Sequence, residues 1–333
     1  MNRISIVFIT LLLAAIIGSC KQPATKPSNT DPTPPEKVKY QAATFNEDSA
    51  YFFVKEQVRF GPRVPNTPSH EKCALWLEST MKKYTKDVLV QKFTAKAYNG
   101  TVLNLKNIIA SFNASNSKRI LLCAHWDSRP YADNDPDSTQ HKHSILGAND
   151  GASGVGVLLE IARQMSKKTP DVGVDIILLD GEDYGAPQSA NYQGQNDWAL
   201  GAQYWANNPH SPAYFAHFGI LLDMVGGENA VFTLEGTSLH YAQDIAHRVW
   251  SIAADIGHSG YFSTEETQPI TDDHLYINQI RQIPTIDIIQ HDPTTNSGFY
   301  KYWHTVKDDM AGISKPTLLA VGQTVLTVIY AEK

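Results

Sequence analysis

Carboxylates and imidazoles recur along this chain where apolar runs end. His125-Trp126-Asp127 follows Ile120 to Ala124, Glu182-Asp183 comes shortly after Val174 to Leu179, and Asp223 closes Ile220 to Leu222. Asp150 and His304 complete the set, and the members lie so far apart in sequence that only a folded domain can gather them. Strands of an open α/β sheet deliver their C-terminal ends to one crevice, which is the layout of a metal-dependent hydrolase or transferase.

Zinc accepts carboxylate oxygen and imidazole nitrogen at about 2.0 to 2.2 Å, and catalytic sites use three protein ligands with one position open. Asp150, Asp183 and His304 would provide that set. Glu182, next to Asp183, can turn away from a metal and move protons instead. Taken singly, several of these residues have an ordinary explanation. Asp150 before Gly151 fits a helix cap or turn, and Asp180-Gly181-Glu182-Asp183 fits a solvated loop. Asp223 is harder to explain that way, because it interrupts the apolar run Gly219 to Val225, and a buried charge needs a partner, a metal or a function. His141, His143 and His291 lie in loop-like sequence without carboxylates in register and read as surface histidines.

The elements that must position these groups follow from periodicity and punctuation. Residues 46–84 read as helix, turn, helix, broken at Gly61-Pro62-Arg63-Val64-Pro65. Strands are predicted at 88–93, 105–112, 119–124, 174–179, 218–224, 231–234 and 285–289. Asn149-Asp150-Gly151 opens a helix whose Val155, Leu158, Leu159 and Ala162 recur at helical spacing. Further helices are predicted at 199–206, 239–254 and 315–331, the last with Pro316 at its start. Strands alternating with helices give an α/β fold, a three-layer α/β/α sandwich with a mixed, largely parallel central sheet. The polar loops 132–146 and 184–198 are expected to wall a substrate pocket.

The chain has 333 residues, 42% of them hydrophobic and 10% aromatic, enough for a sizeable core. A net charge of −6 without a basic stripe argues against nucleic acid as a partner. Residues 1–20 carry a basic start, an apolar stretch from Ile4 to Ile17, and then Gly18-Ser19-Cys20. They read as a secretory signal whose ending resembles a bacterial lipobox, so Cys20 is expected to receive lipid and anchor the chain in a bacterial cell envelope. Residues 21–44 begin with a proline-rich polar stretch and read as a flexible tether, which leaves 45–333 as the catalytic domain. Cys73 and Cys123 read as buried free thiols. Two N-glycosylation patterns, at Asn99 and Asn113, are expected to go unused.

Six motifs arrive in order: Phe60-Gly61-Pro62-Arg63, His125-Trp126-Asp127-Ser128, Gly147 to Ala152, Asp180 to Asp183, Leu222-Asp223-Met224 and Trp303-His304-Thr305. Together they resemble the M28 zinc-peptidase superfamily over residues 45 to the C-terminus. Within it, Thr271-Asp272-Asp273-His274 and Trp303-His304-Thr305 are more similar to animal-type glutaminyl cyclases than to aminopeptidases. The resemblance implies one zinc on Asp150, Asp183 and His304, with Glu182 as proton shuttle supported by Asp272 and Asp223. It also implies a pocket walled by Trp303 and Phe299, and a substrate that is a peptide or exported protein with N-terminal glutamine. This chain departs from the pattern in three places. Asp183 stands where the family often has Glu, Gly151 stands where animal cyclases have Ser, and the segment after Asp183 lacks their Trp.

The rival expectation is a two-zinc aminopeptidase, with His125, Asp150 and Asp223 on one metal and Asp150 bridging to the Asp183–His304 site. A third expectation, a non-catalytic M28-like binding ectodomain, would require loss of metal, and every ligand type is present here.

Overall fold

The structure is a computed structural model and describes residues 40–333 apart from residue 195. The signal at 1–20 with Cys20, and the tether as far as residue 39, lie outside the described residues. Among the described residues no helix is long and apolar enough to cross a membrane.

Six strands form one sheet: β1 Asp87–Lys96, β2 Val102–Phe112, β3 Arg119–His125, β4 Gly173–Leu179, β5 Phe218–Asp223 and, after two strands of a separate sheet, β8 Thr285–Ile289, in the order β1-β2-β4-β3-β5-β8. β4, β3, β5 and β8 run parallel, while β1 and β2 add an antiparallel hairpin edge. The sequence explains the difference. The parallel strands are near-continuous apolar runs that stay buried, as strands covered on both faces must be, whereas β1 alternates and is half exposed.

Helices cover both faces. Helices α1 Glu47–Val58, α3 Ala152–Lys167, α5 Gly236–Asp255 and α7 Lys315–Ala331 pack on one side, against the inward residues Ile120, Leu122 and Ala124 of β3. α4 Leu200–Asn207 and α6 Asp273–Tyr276 meet the opposite residues, Leu121 and Cys123. α2 Pro68–Met81 lies over β1 and β2. Asn46, Thr67 and Ser314 cap α1, α2 and α7 with side-chain oxygens, and Pro stands in the first turn of the latter two. α3 approaches its neighbours through glycine: a Cβ on Gly154 would lie 2.1 Å from the Leu222 carbonyl oxygen.

Some elements differ from expectation, the short α6 among them. The predicted strand at 231–234 forms as β6 Phe232–Glu235, outside the main sheet and paired in parallel with β7 Phe262–Thr267. β7 has polar, exposed side chains and so offers no apolar pattern to read. Cys73 and Cys123 are buried free thiols.

The connections β3–α3–β4 and β4–α4–β5 place β4 and β5 on opposite sides of β3. Strand order therefore reverses at β3, and the crevice beyond its C-terminal end is where an open α/β sheet binds its ligand.

Candidate active site

Asp127, Glu182 and Asp183, Asp223, and His304 follow or end β3, β4, β5 and β8, and Asp150 lies in the β3–α3 loop. The three proposed ligands converge: Asp150, Asp183 and His304 each offer one atom, all within 4.8 Å of one another. His304 Nε2 is 3.2 Å from Asp183 Oδ1 and 3.6 Å from Asp150 Oδ2. Ligands about 2.1 Å from a tetrahedral ion stand about 3.4 Å apart. Buried Oδ2 atoms on Asp150 and Asp183 have no hydrogen-bond partner. Burial, then the Asp183 charge, pushes the Asp150 carboxyl up, and burial pushes Asp183 up to about 8 against the opposing charge of Arg129. Burial, then Arg129, pushes His304 down to about 4, which keeps its imidazole neutral. Orphaned acids beside a neutral imidazole are a donor set that fits a divalent zinc ion.

Each ligand-bearing turn is pinned through its backbone by another buried aspartate. Asp127 accepts the N–H groups of Glu182 and Asp183 at 3.1 and 3.2 Å. Asp308 accepts those of Asn149 and Asp150 at 2.8 and 3.0 Å. Asp135 accepts that of Val306, two residues past His304, at 3.1 Å. His304 itself has φ +54°, a strained conformation costing about 1–3 kcal/mol that the surrounding loop must hold. The Asp127 clamp sets where the shorter Asp183 side chain starts. The Gly151 departure also has a reason: its φ is +88° and an added Cβ would lie 2.8 Å from the Asp127 carbonyl oxygen, so serine does not fit.

Glu182 lines a cavity of about 210 Å³ together with Asp150, His304, Asp223 and Asp272. Burial, then the Asp272 charge, raises its pKa well above the ordinary carboxylate range. Burial and Asp223 raise Asp272 to about 6. Trp303 and Phe299 line the same cavity with ring centroids 4.8 Å apart, and Trp303 stacks on His304 at 3.7 Å. The loops 132–146 and 184–198 reach the cavity through Asp133, Asn134, Ala186 and Trp198.

Trp198, at the end of the loop 184–198, supplies a further aromatic wall of the cavity. Its ring lies parallel to the His304 imidazole, 6.0 Å away. Arg129 and Asp133 were missed in the sequence. Arg129 packs over Trp198 at 4.6 Å, donates to the Asp183 carbonyl at 3.1 Å, and pairs with Asp133 at 2.7 Å. Asp133 Oδ1 lies 3.5 Å from His304 Nδ1, the ring nitrogen facing away from the other two ligands. Asp273 and Asp287 are buried behind Asp272, and burial followed by the Asp272 charge pushes both well up. Asp287 carried a usable signal, since it interrupts the apolar strand β8 as Asp223 interrupts the apolar run Gly219 to Val225.

The rival's ligands converge too. His125 Nε2 is 3.0 Å from Asp150 Oδ1 and 3.3 Å from Asp223 Oδ1.

An α/β/α sandwich with buried carboxylates and a histidine gathered at parallel strand ends defines a zinc-dependent metalloenzyme of the peptidase-like class. The chain belongs to peptidase family M28, whose model matches residues 107–329. A Zn-dependent exopeptidase structure from Parabacteroides distasonis is 53% identical, covers 87% of this chain and 99% of its own, and superposes with TM-score 0.86. Tannerella forsythia glutaminyl cyclase is 50% identical over 87% of this chain and 100% of its own, also at TM-score 0.86. Glutaminyl-peptide cyclotransferase of Gloydius blomhoffii is 24% identical over 64% of this chain. The match spans about three fifths of the length of that curated relative, 61%.

Proposed function

We propose that this chain is a glutaminyl-peptide cyclotransferase that closes the N-terminal glutamine of peptides and exported proteins to pyroglutamate, releasing ammonia. The cavity carries this reading: Glu182, a buried carboxyl with raised pKa, adjoins the Asp150–Asp183–His304 set in a small space walled by Trp198, Phe299 and Trp303. Aromatic walls suit the apolar stem of an uncharged glutamine side chain, and the polar groups between them can orient its amide. The likeness to the Tannerella forsythia cyclase supports it.

Asp150, Asp183 and His304 would hold a single zinc, which supplies Lewis acidity at the γ-carbonyl oxygen of the bound glutamine. Glu182 takes a proton from the α-amine as that nitrogen bonds to the carbon of the side-chain amide. It then gives a proton to the departing amide nitrogen, which leaves as ammonia. Such shuttling works best with a carboxyl pKa near neutrality, and burial, followed by the charge of Asp272 with Asp223 behind it, raises Glu182 in that direction. Trp303 and Phe299 orient the side chain and keep water, which would otherwise hydrolyse the amide, from the amide carbon.

The second reading, a two-zinc aminopeptidase, draws on the assembled His125–Asp150–Asp223 trio and on the exopeptidase relative. Product analysis on a glutaminyl peptide separates them. Cyclisation gives a full-length pyroglutamyl peptide and ammonia; a product shortened by its first residue contradicts the proposal. We also place the enzyme at a bacterial cell envelope, tethered through lipid on Cys20, on the strength of the lipobox-like ending Gly18-Ser19-Cys20.

A further inference from the structure

The catalytic cavity is small and acidic, and a larger neutral groove adjoins it. At about 210 Å³ the cavity falls below the roughly 300–1,000 Å³ of sites that enclose a whole small ligand, so it takes one residue and the rest of a peptide lies outside. The neighbouring groove has about 720 Å³ and shares Ile270, Thr271 and Phe299 with the cavity. One wall is the segment 267–271 that continues from β7, and the other is the loop 291–299 that leads from β8 toward His304.

The two spaces differ in charge. Asp133, Asp150, Glu182, Asp223 and Asp272 line the cavity, whereas the groove lining contains no Asp, Glu, Lys or Arg and one titratable side chain, His291. An α-amine is drawn toward the carboxylates, and the uncharged peptide backbone that follows it meets neutral side chains. Gln268 and Asn296 stand exposed on opposite walls, each amide carrying both a donor and an acceptor. Pro269, Pro293 and Phe299 give the groove an apolar surface between them.

We infer that this groove is a peptide subsite that binds the residues following the N-terminal glutamine, largely through their backbone. It rests on the cyclase reading and extends it: the preferred substrates are chains several residues long, with little demand on their side chains. His291, a surface histidine by sequence, becomes part of the subsite's floor beside Gly298.

The test compares kcat/KM for Gln-Ala-amide and for a Gln-Ala-Ala-Ala-Ala-amide peptide. One or two added hydrogen bonds raise the longer peptide about tenfold over the dipeptide. Asn296→Trp and Gln268→Trp, one on each wall, remove that advantage and leave dipeptide turnover unchanged. Equal kcat/KM for the two peptides in the wild-type enzyme overturns the subsite while leaving the cyclase reading intact. An unaltered length advantage in both Trp variants overturns it as well. Failure to cyclise either peptide overturns the cyclase reading and the subsite with it.

Discussion

At the residue scale, adjacent acids have been given different tasks, and isosteric amides distinguish them. Glu182→Gln keeps volume and hydrogen bonding but cannot take and return a proton, so turnover is expected to fall about 10² to 10⁴-fold with zinc content retained. Asp183→Asn is expected to lose zinc instead. Zinc lost from Glu182→Gln and kept in Asp183→Asn would exchange the two roles. The raised pKa of Glu182 adds a pH signature. Its basic form starts the reaction, so kcat/KM drops as pH falls through that pKa, and the acid limb lies above the ordinary carboxylate range. An acid limb near pH 4 in the wild-type profile would contradict the assignment. Asp150, Glu182, Asp183 and His304 were legible in sequence because each sits in a short motif, Glu182 and Asp183 just past β4, Asp150 just before α3 and His304 between Trp303 and Thr305. Trp198, Arg129 and Asp133 were not. They act through loops whose return to the site is set by tertiary structure rather than by any local pattern.

At the element scale, loops and strand ends are held by second contacts that carry their own consequences. Asp133 lies between Arg129 and the outer nitrogen of His304, the position from which a carboxylate fixes a metal-binding histidine's tautomer and orientation. Asp133→Asn is expected to weaken zinc affinity about 10- to 100-fold with the fold intact, read by competition with a chelator. Unchanged affinity would confine Asp133 to pairing with Arg129. Gly154 has a packing role instead. A Cβ there would lie 2.1 Å from the Leu222 carbonyl and 2.9 Å from the Ala124 side chain, forcing α3 away from the sheet. Gly154→Ala is therefore expected to lower unfolding stability by about 1–3 kcal/mol in urea titration, the usual cost of overpacking. The main sheet and its helices were readable because buried parallel strands are near-continuous apolar runs and α3 and α7 keep apolar residues at helical spacing. β7 escaped because an exposed two-stranded edge carries no such pattern. The short α6 escaped because its four residues are too few for a period to show.

At the scale of the whole molecule, the proposal couples a tethered envelope protein to a one-metal site. Cys20→Ala is expected to move the protein from the membrane fraction to the soluble fraction of a bacterial host, while the purified catalytic domain keeps its activity. Retention in the membrane fraction would remove Cys20 as the anchor. The deeper question is metal number, because this fold brings two ligand trios together around a shared Asp150. Sequence presented every member of both trios and favoured the one-zinc reading on the Asp272-Asp273-His274 and Trp303-His304 motifs, but it could not show the cavity, whose aromatic walls form only when residues 198, 299 and 303 meet. The most direct measurement restores zinc stepwise to chelator-treated protein and follows pyroglutamate formation against bound metal. The account predicts that activity saturates at one zinc per chain. Saturation only at two, with release of free N-terminal residues in place of ring closure, would contradict it.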